Sequence, residues 1–327
     1  METLVLTRSY IANTVTPHAY LGAIGGAFEA LAAGRLGVPP VGHVPASAGG
    51  AFHIKAAVAL GEGGRAAIKV NGNFPGNPAH GLPTIQGFIA LLDAARGGVL
   101  ALMDSMEITA RRTAAASALA ASRLASPRSV RLGVVGCGVQ ARYHLDALVE
   151  LFQLSTLVCH DLDRRRAEDL ATIARASGIE ACVASSVREV ARDAQILVTC
   201  TTSTRPLLGA DDVPPGCFVA AVGADNPSKQ EIDPALMRAA RIVPDVLAQA
   251  AAMGDLHHAI AAGAVTASDI HGELADLVAQ RVPGRTSADE IFVFDSTGTA
   301  IEDLVVAELA WEIACADPTA PRVSLDA

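Results

Sequence analysis

No two of the six cysteines form a CxxC pair. Cys137, Cys159, Cys182, Cys200, Cys217 and Cys315 are scattered through the 327 residues. That spacing argues against a disulfide framework or a cysteine metal site. Most of the six fall inside apolar runs, as the buried, reduced thiols of a cytoplasmic protein do. There is no excess of basic charge either: the net charge is -9, and it is spread rather than blocked. Nucleic acid and an anionic membrane are therefore poor candidates for the main partner. No uninterrupted apolar segment reaches transmembrane length. The opening METLVLTRSYIANTV lacks the basic stretch and long apolar run of a signal peptide. Internal repeats are absent, and the Ala-rich stretch 113–125 is helix composition rather than low complexity. No metal is expected; the neighbours His257 and His258 read as a solvated helix feature.

What is present suits a compact enzyme. Hydrophobic residues make up 51% and charged residues 18%, and the length favours two domains. Residues 17–33 carry Tyr20, Leu21, Ile24, Phe28 and Leu31 near helical spacing. Short strands follow at 52–60, 65–71, 84–93 and 99–104, divided by Gly and Pro. The loop at 71–87, dense in Gly, Pro and Asn, is a long surface turn or a shaped wall of an active site. Residues 107–124 read as a long helix crossing between domains.

From Ser129 the pattern changes. Strands at 130–135, 156–160, 181–183, 196–201, 218–222, 241–244 and 292–295 alternate with helices at 140–152, 164–176 and 187–191. Continuous apolar strands in such alternation imply an α/β fold with a doubly wound parallel sheet. Residues 300–316 read as one amphipathic helix that returns to the first domain.

The strand at 130–135 runs straight into Gly136-Cys137-Gly138-Val139-Gln140-Ala141. This is GxGxxA in its strand–turn–helix context. Gly136 permits the tight turn, Gly138 admits a pyrophosphate to the backbone, and Ala141 allows close helix–strand packing. Asp161 ends the next strand roughly twenty residues on, where a carboxylate can bond both ribose hydroxyls and repel a 2′-phosphate. NAD is thereby favoured over NADP. Arg164, Arg165 and Arg166 could reach a phosphate, but also read as solvated residues of a helical first turn.

The chain resembles the ornithine cyclodeaminase/μ-crystallin family in AAIKVNGNFPGNPAHGLPTIQG (66–87), LMDSMEITARRTAAASALAA (102–121), GVVGCGVQARYHLDAL (133–148), AAVGADNPSKQEI (220–232) and VFDSTGTAIED (293–303). The resemblance implies a mixed α+β substrate-binding and dimerisation domain over 1–120, completed by 299–327. It implies a Rossmann NAD-binding domain over 121–298, and a homodimer. It makes Lys69 the active-site lysine, Arg112 the grip on the substrate carboxylate, and Asp225 the acid that handles the proton of the substrate nitrogen. Thr84, Val139, Gln140, Asp161, Thr201, Thr202, Val222, Lys229 and Ser296 fall where the family lines its dinucleotide. Each catalytic assignment has a plain alternative. Lys69 could be a strand-end surface lysine, Arg112 a partner of Glu107, and Asp225 a turn or cap residue.

The chain departs from the cyclodeaminases of that family at Val41, His53 and Lys55, where they carry an arginine, an acid and a methionine. His53 and Lys55 are two apart on a strand and so share a face. A lining made more positive disfavours a diamine. It suits a small anionic imino or keto acid, with iminosuccinate (reduced to aspartate) named first, then the imine of pyruvate and cyclic ketimines. His43 is a weaker lining candidate. The leading expectation is an NADH-dependent imine reductase or amino-acid dehydrogenase. A deaminating cyclisation of the ornithine cyclodeaminase type and a non-catalytic ligand-binding protein are the alternatives.

Overall fold

The computed structural model describes residues 2–325 apart from Val38, Pro40 and Glu62. The chain forms two compact units, Met1–Arg112 with Thr299–Ala327, and Thr113–Gly298. The division falls within the helix Ser105–Leu124.

Among the described residues, the first unit is built on an eight-stranded mixed sheet. Its order is Arg322–Ser324, Glu2–Leu6, Val99–Asp104, Ile85–Asp93, Arg65–Asn73, Ala51–Ala59 and Leu36–Gly37, with Gly42–Pro45 also on Ala51–Ala59. The pair Glu2–Leu6 and Val99–Asp104 is parallel; the remaining pairs are antiparallel. Alternation along the strands buries Ala67, Ile89, Leu91, Ala101 and Met103 on one face. Helix Pro17–Ala32 starts with a Thr16 side-chain cap and a proline at its first positions, and it buries Tyr20, Ile24 and Phe28 four residues apart. Helix Ala300–Ala316 packs on this helix and on the strands Ala51–Ala59 and Arg65–Asn73. The opposite face of the sheet exposes Val44, Phe52, Ile68 and Phe88.

The second unit carries a seven-stranded, all-parallel sheet in the order Glu180–Val183, Thr156–His160, Arg131–Val135, Ile196–Thr199, Phe218–Ala221, Phe292–Asp295, Arg241–Pro244. The four middle strands are buried on both faces apart from Arg131, as helix-covered parallel strands must be. Strand order reverses beside Arg131–Val135, the switch point where such sheets open a crevice at their carboxyl ends.

The structure corrects several expectations. The strand expected at 196–201 stops at Thr199, because Glu231 takes the Thr201 backbone N–H at 2.6 Å. A small parallel sheet of Thr204–Leu208 with Gln230–Ile232, the strand Glu2–Leu6 and the short helices Pro234–Ala239, Leu247–Met253, Asp255–Ala261 and Leu274–Val278 were not anticipated. Helix Ala300–Ala316 has the expected limits but is not amphipathic. Its first-turn carboxylates Glu302 and Asp303 are buried along with Ile301, Leu304 and Val306. Cys182 and Cys315 are exposed rather than set in the core.

Candidate active site

In the first unit, the strand Arg65–Asn73 brings Lys69 to the covered face of the sheet. It is 4% exposed, so it is not a surface lysine. Its Nζ lies 2.6 Å from Asp303 Oδ2 and 3.5 Å from Thr109 Oγ1. Arg112 is equally buried. It donates from Nε to Asp303 Oδ1 at 3.1 Å and from Nη1 to Glu302 Oε2 at 2.8 Å. These two partners come from 190 and 191 residues away; the nearby Glu107 pairs with Arg111. Glu302 Oε1 accepts the backbone N–H and hydroxyl of Thr299, both at 3.1 Å, in a capping box that starts the helix.

Two cations and two carboxylates are thus buried as one cluster. Buried charges persist only when paired and hydrogen-bonded. Burial pushes the Lys69 ammonium down to about 7, against the attraction of Asp303 and aided by repulsion from Arg112 and Lys55. Burial acts on Asp303 too, but Lys69 and Arg112 outweigh it and hold its carboxyl below the usual range.

Lys55 lies directly across from Lys69 in the antiparallel pair, and His53 across from Asn71. Directly opposed residues project to the same face, so the sheet brings Lys55, His53 and Lys69 to one side. His43 stacks edge-on against His53, with ring centroids 5.0 Å apart. Thr84 belongs to the same unit, and its carbonyl accepts the Phe74 N–H at 2.8 Å. Glu302 and Asp303 were absent from the sequence-based site. The signal for Glu302 was there, as Thr299 followed three residues later by Glu; nothing local marked Asp303.

In the second unit, Gly136 adopts φ +88°, and a Cβ there would lie 2.8 Å from Thr201 Cγ2. Only glycine makes this turn without strain. Gly138 differs: a Cβ there would meet nothing within 4 Å, so the space above the turn is open. Gly138 begins the helix Val139–Val149 with no side-chain cap, leaving its first N–H groups for an anion. Asp161 closes the turn: Oδ2 accepts the Cys137 N–H at 2.7 Å and Oδ1 the Asp163 N–H at 2.8 Å. Ser296 Oγ and Gln140 Oε1 are buried polar atoms without a partner in this unit, as atoms awaiting a ligand are. Val139 is 68% exposed at the helix start and Val222 is buried at a strand end. Thr201 is half-buried and Thr202 exposed. These residues fit a dinucleotide. Arg164 and Arg166 are exposed and pair with Glu168 and Asp163, as solvated first-turn residues do.

Asp225 and Lys229 are brought together, with Nζ 2.7 Å from Oδ1. His258 Nε2 lies 2.9 Å from the Lys229 carbonyl, and His257 Nδ1 is 3.2 Å from the Ala251 carbonyl. Beneath the same loops runs a chain of buried carboxylates. Glu231 accepts from Thr199, Thr201 and Gly223. Asp255 accepts the Glu231 and Ile232 N–H groups, and Asp295 those of Asp255 and Leu256. Burial, and the carboxylates' mutual repulsion, push Asp255 up to about 7 and Asp295 well above the usual range.

A doubly wound sheet with this turn in one unit, and a buried cation pair in the other, define a dinucleotide-binding protein of the dehydrogenase kind. The chain belongs to the ornithine cyclodeaminase/mu-crystallin family, whose model matches residues 1–317. It is similar to an archaeal alanine dehydrogenase solved as a dimer with bound NAD, at 33% identity and TM-score 0.95 over 99% of this chain and 100% of that one. It is also similar to the Δ1-pyrroline-2-carboxylate reductase of Thermococcus litoralis, solved with NADH and L-proline. That match has 30% identity and TM-score 0.94 over 98% and 100% of the chains. The iminosuccinate reductase of Paracoccus denitrificans is 34% identical over 318 residues, 95% of this chain and 96% of that protein. Its structure with NAD+ aligns at TM-score 0.91 over 99% and 100% of the chains.

Proposed function

We propose that this chain is an NADH-dependent oxidoreductase that reduces the C=N bond of a small anionic imino acid to the amino acid. The observation that carries the reading is the burial of Lys69 and Arg112 on one shared carboxylate, with Lys55 facing the same side of the sheet. Relatives that act on imino or amino acids, and neighbours solved with NAD or NADH, support the reaction class and the cofactor.

Bound NADH supplies the hydride to the imine carbon. Arg112 and Lys69 hold the α-carboxylate and orient that carbon. Asp225 is the group assigned to exchange a proton with the substrate nitrogen. Gly136, Gly138 and the start of the helix Val139–Val149 would hold the pyrophosphate, and Asp161 would hold the adenosine ribose. Gln140, Thr201, Thr202, Val222, Lys229 and Ser296 complete the proposed cofactor lining of the second unit.

Lys55, with His53 beside it, reads the distal end of the substrate. An ammonium there favours a second carboxylate and disfavours the distal amine of ornithine, so iminosuccinate is the first candidate. The apolar outer face of the first unit's sheet, with Val44, Phe52, Ile68 and Phe88 exposed, supports a homodimer closed over that face.

The test is kcat/KM with NADH for oxaloacetate plus ammonia and for pyruvate plus ammonia, in wild type and Lys55→Met. The dicarboxylate is expected to be preferred, and the substitution to cost it at least about tenfold more than it costs the pyruvate imine. Equal losses for the two would remove Lys55 from substrate selection.

A further inference from the structure

We propose that Asp303 is the positioning residue of the substrate-carboxylate site: one oxygen holds Lys69, the other holds Arg112, and its charge keeps Lys69 protonated. The inference rests on the proposed function for the role of the two cations, and on the cluster's geometry for everything else.

Asp303 is 1% exposed and sits in the first turn of the helix Ala300–Ala316. A carboxylate in a first turn commonly serves the helix itself, through its N-terminal N–H groups. Here that task falls to Glu302, which caps through Thr299 and gives only its second oxygen to Arg112. Asp303 instead spans two elements of the chain far apart in sequence. Oδ2 is 2.6 Å from Lys69 Nζ on the strand Arg65–Asn73, and Oδ1 is 3.1 Å from Arg112 Nε on the helix Ser105–Leu124. A single planar carboxylate thereby fixes the separation of the two cations.

The charge balance points the same way. Lys69, Arg112 and Lys55 face Asp303 from three elements, and Glu302 is the other carboxylate of the cluster. With Asp303 ionised, Lys69 has a carboxylate at 2.6 Å and Arg112 shares it. Without its charge, Lys69 loses its paired carboxylate while Arg112 and Lys55 still repel it, and burial has already driven it down to about 7. It would then shed its proton more readily. A site that must hold a carboxylate would then lose one of its two cations.

The experiment compares wild type, Asp303→Asn and Asp303→Glu. Three quantities are read: the pH profile of kcat/KM for the anionic imine, the NADH dissociation constant, and the pH dependence of Lys69 acetylation by acetic anhydride, followed by peptide mass spectrometry. Asp303→Asn is expected to raise KM by about 10- to 100-fold while NADH binding stays within about twofold. Its alkaline limb and Lys69 labelling midpoint should both move down by at least about one pH unit. Asp303→Glu, which keeps the charge on a longer arm, should restore the limb and midpoint while KM stays high. An Asn variant that folds and binds NADH but keeps the wild-type limb and midpoint would overturn the proposal. If the Asn variant does not fold, a Glu variant with wild-type KM would overturn it. The labelling midpoint needs no turnover. A shifted midpoint in a protein that reduces no imine would therefore sink the proposed function and leave Asp303's hold on Lys69 standing.

Discussion

Lys69 and Arg112 stand 43 positions apart in sequence and share one carboxylate in space. At the scale of single residues this decides what each substitution should do. Arg112→Ala leaves Glu302 and Asp303 with one cation fewer and removes a charge-assisted contact to substrate. It should lower kcat/KM by about 2–5 kcal/mol in transition-state terms, with a smaller change in NADH affinity. Near-normal turnover of a carboxylate substrate by that variant would displace Arg112 as the anchor. The Lys69 ammonium, held at about 7, gives the expected alkaline limb its direction: below that pH the lysine is charged for its proposed grip on the carboxylate, and above it that grip should fade. For folding stability the sign is reversed. The native lysine binds its proton less tightly than the unfolded one, so this group's contribution rises from about pH 7 toward the ordinary lysine range. The proposed place of Asp161 at the adenosine ribose makes it the residue that would set cofactor choice. Comparing kcat/KM with NADH and NADPH should show a strong preference for NADH, and Asp161→Ser should narrow the gap. Comparable values in wild type would end that assignment.

The elements carry a second set of consequences. The two glycines of the turn do different work. Gly136→Ala must strain a φ of +88° and push against Thr201 and the Cys200 carbonyl, so it should lower the melting temperature. Gly138→Ala meets only open space. It should leave the melting temperature within about 2 °C, the effect of well under 1 kcal/mol, yet weaken NADH binding at least about tenfold. Differential scanning fluorimetry with and without NADH separates the two, and a Gly138→Ala protein with wild-type NADH affinity would move the pyrophosphate elsewhere. The buried carboxylates give the second unit its own pH dependence. Asp255 is raised to about 7 in the folded chain, so its contribution to stability is fullest at low pH and is lost as pH climbs from about 4 to 7. Asp255→Asn keeps an oxygen to accept the Glu231 and Ile232 N–H groups and removes the charge. Its melting temperature relative to wild type should therefore improve from pH 5 to pH 8; a difference that is flat with pH would contradict the shift.

The same scale shows what the sequence made legible. Strands Val99–Asp104 and Thr156–His160 and helices Arg164–Ala176 and Ala300–Ala316 have the limits their patterns imply, because periodicity and caps are local. The dinucleotide turn was legible for the same reason: its glycines and Asp161 act within one βαβ unit. Lys69 and Arg112 were reached through family resemblance, and their partners Glu302 and Asp303 were missed. A charged first turn on a helix ordinarily reads as a solvated face. Here it is buried only because two cations 190 or more residues away meet it. The short helices after Asp233 escaped notice because they are about two turns or less, too brief for a period to show, although Asp233 followed by Pro234 is a start signal.

At the scale of the whole molecule, one unit holds the cations proposed to grip a carboxylate substrate and the other the turn proposed to hold a dinucleotide. No helix among the described residues is long and apolar enough to cross a membrane. The outer sheet face of the first unit predicts self-association. Light scattering at micromolar concentration should give the mass of a dimer or of an assembly of dimers, and Ile68→Lys with Phe88→Lys should shift it toward the 33.5 kDa monomer. A wild-type chain that runs as a monomer would remove the homodimer. The central claim is net imine reduction, and one measurement addresses it most directly. NADH oxidation and amino-acid formation are followed together with oxaloacetate and ammonia, alongside ammonia release from ornithine with NAD. The account predicts one NADH consumed for each aspartate formed and no ammonia from ornithine. Ammonia release from ornithine without net change in NADH absorbance would contradict it and make the chain a cyclodeaminase.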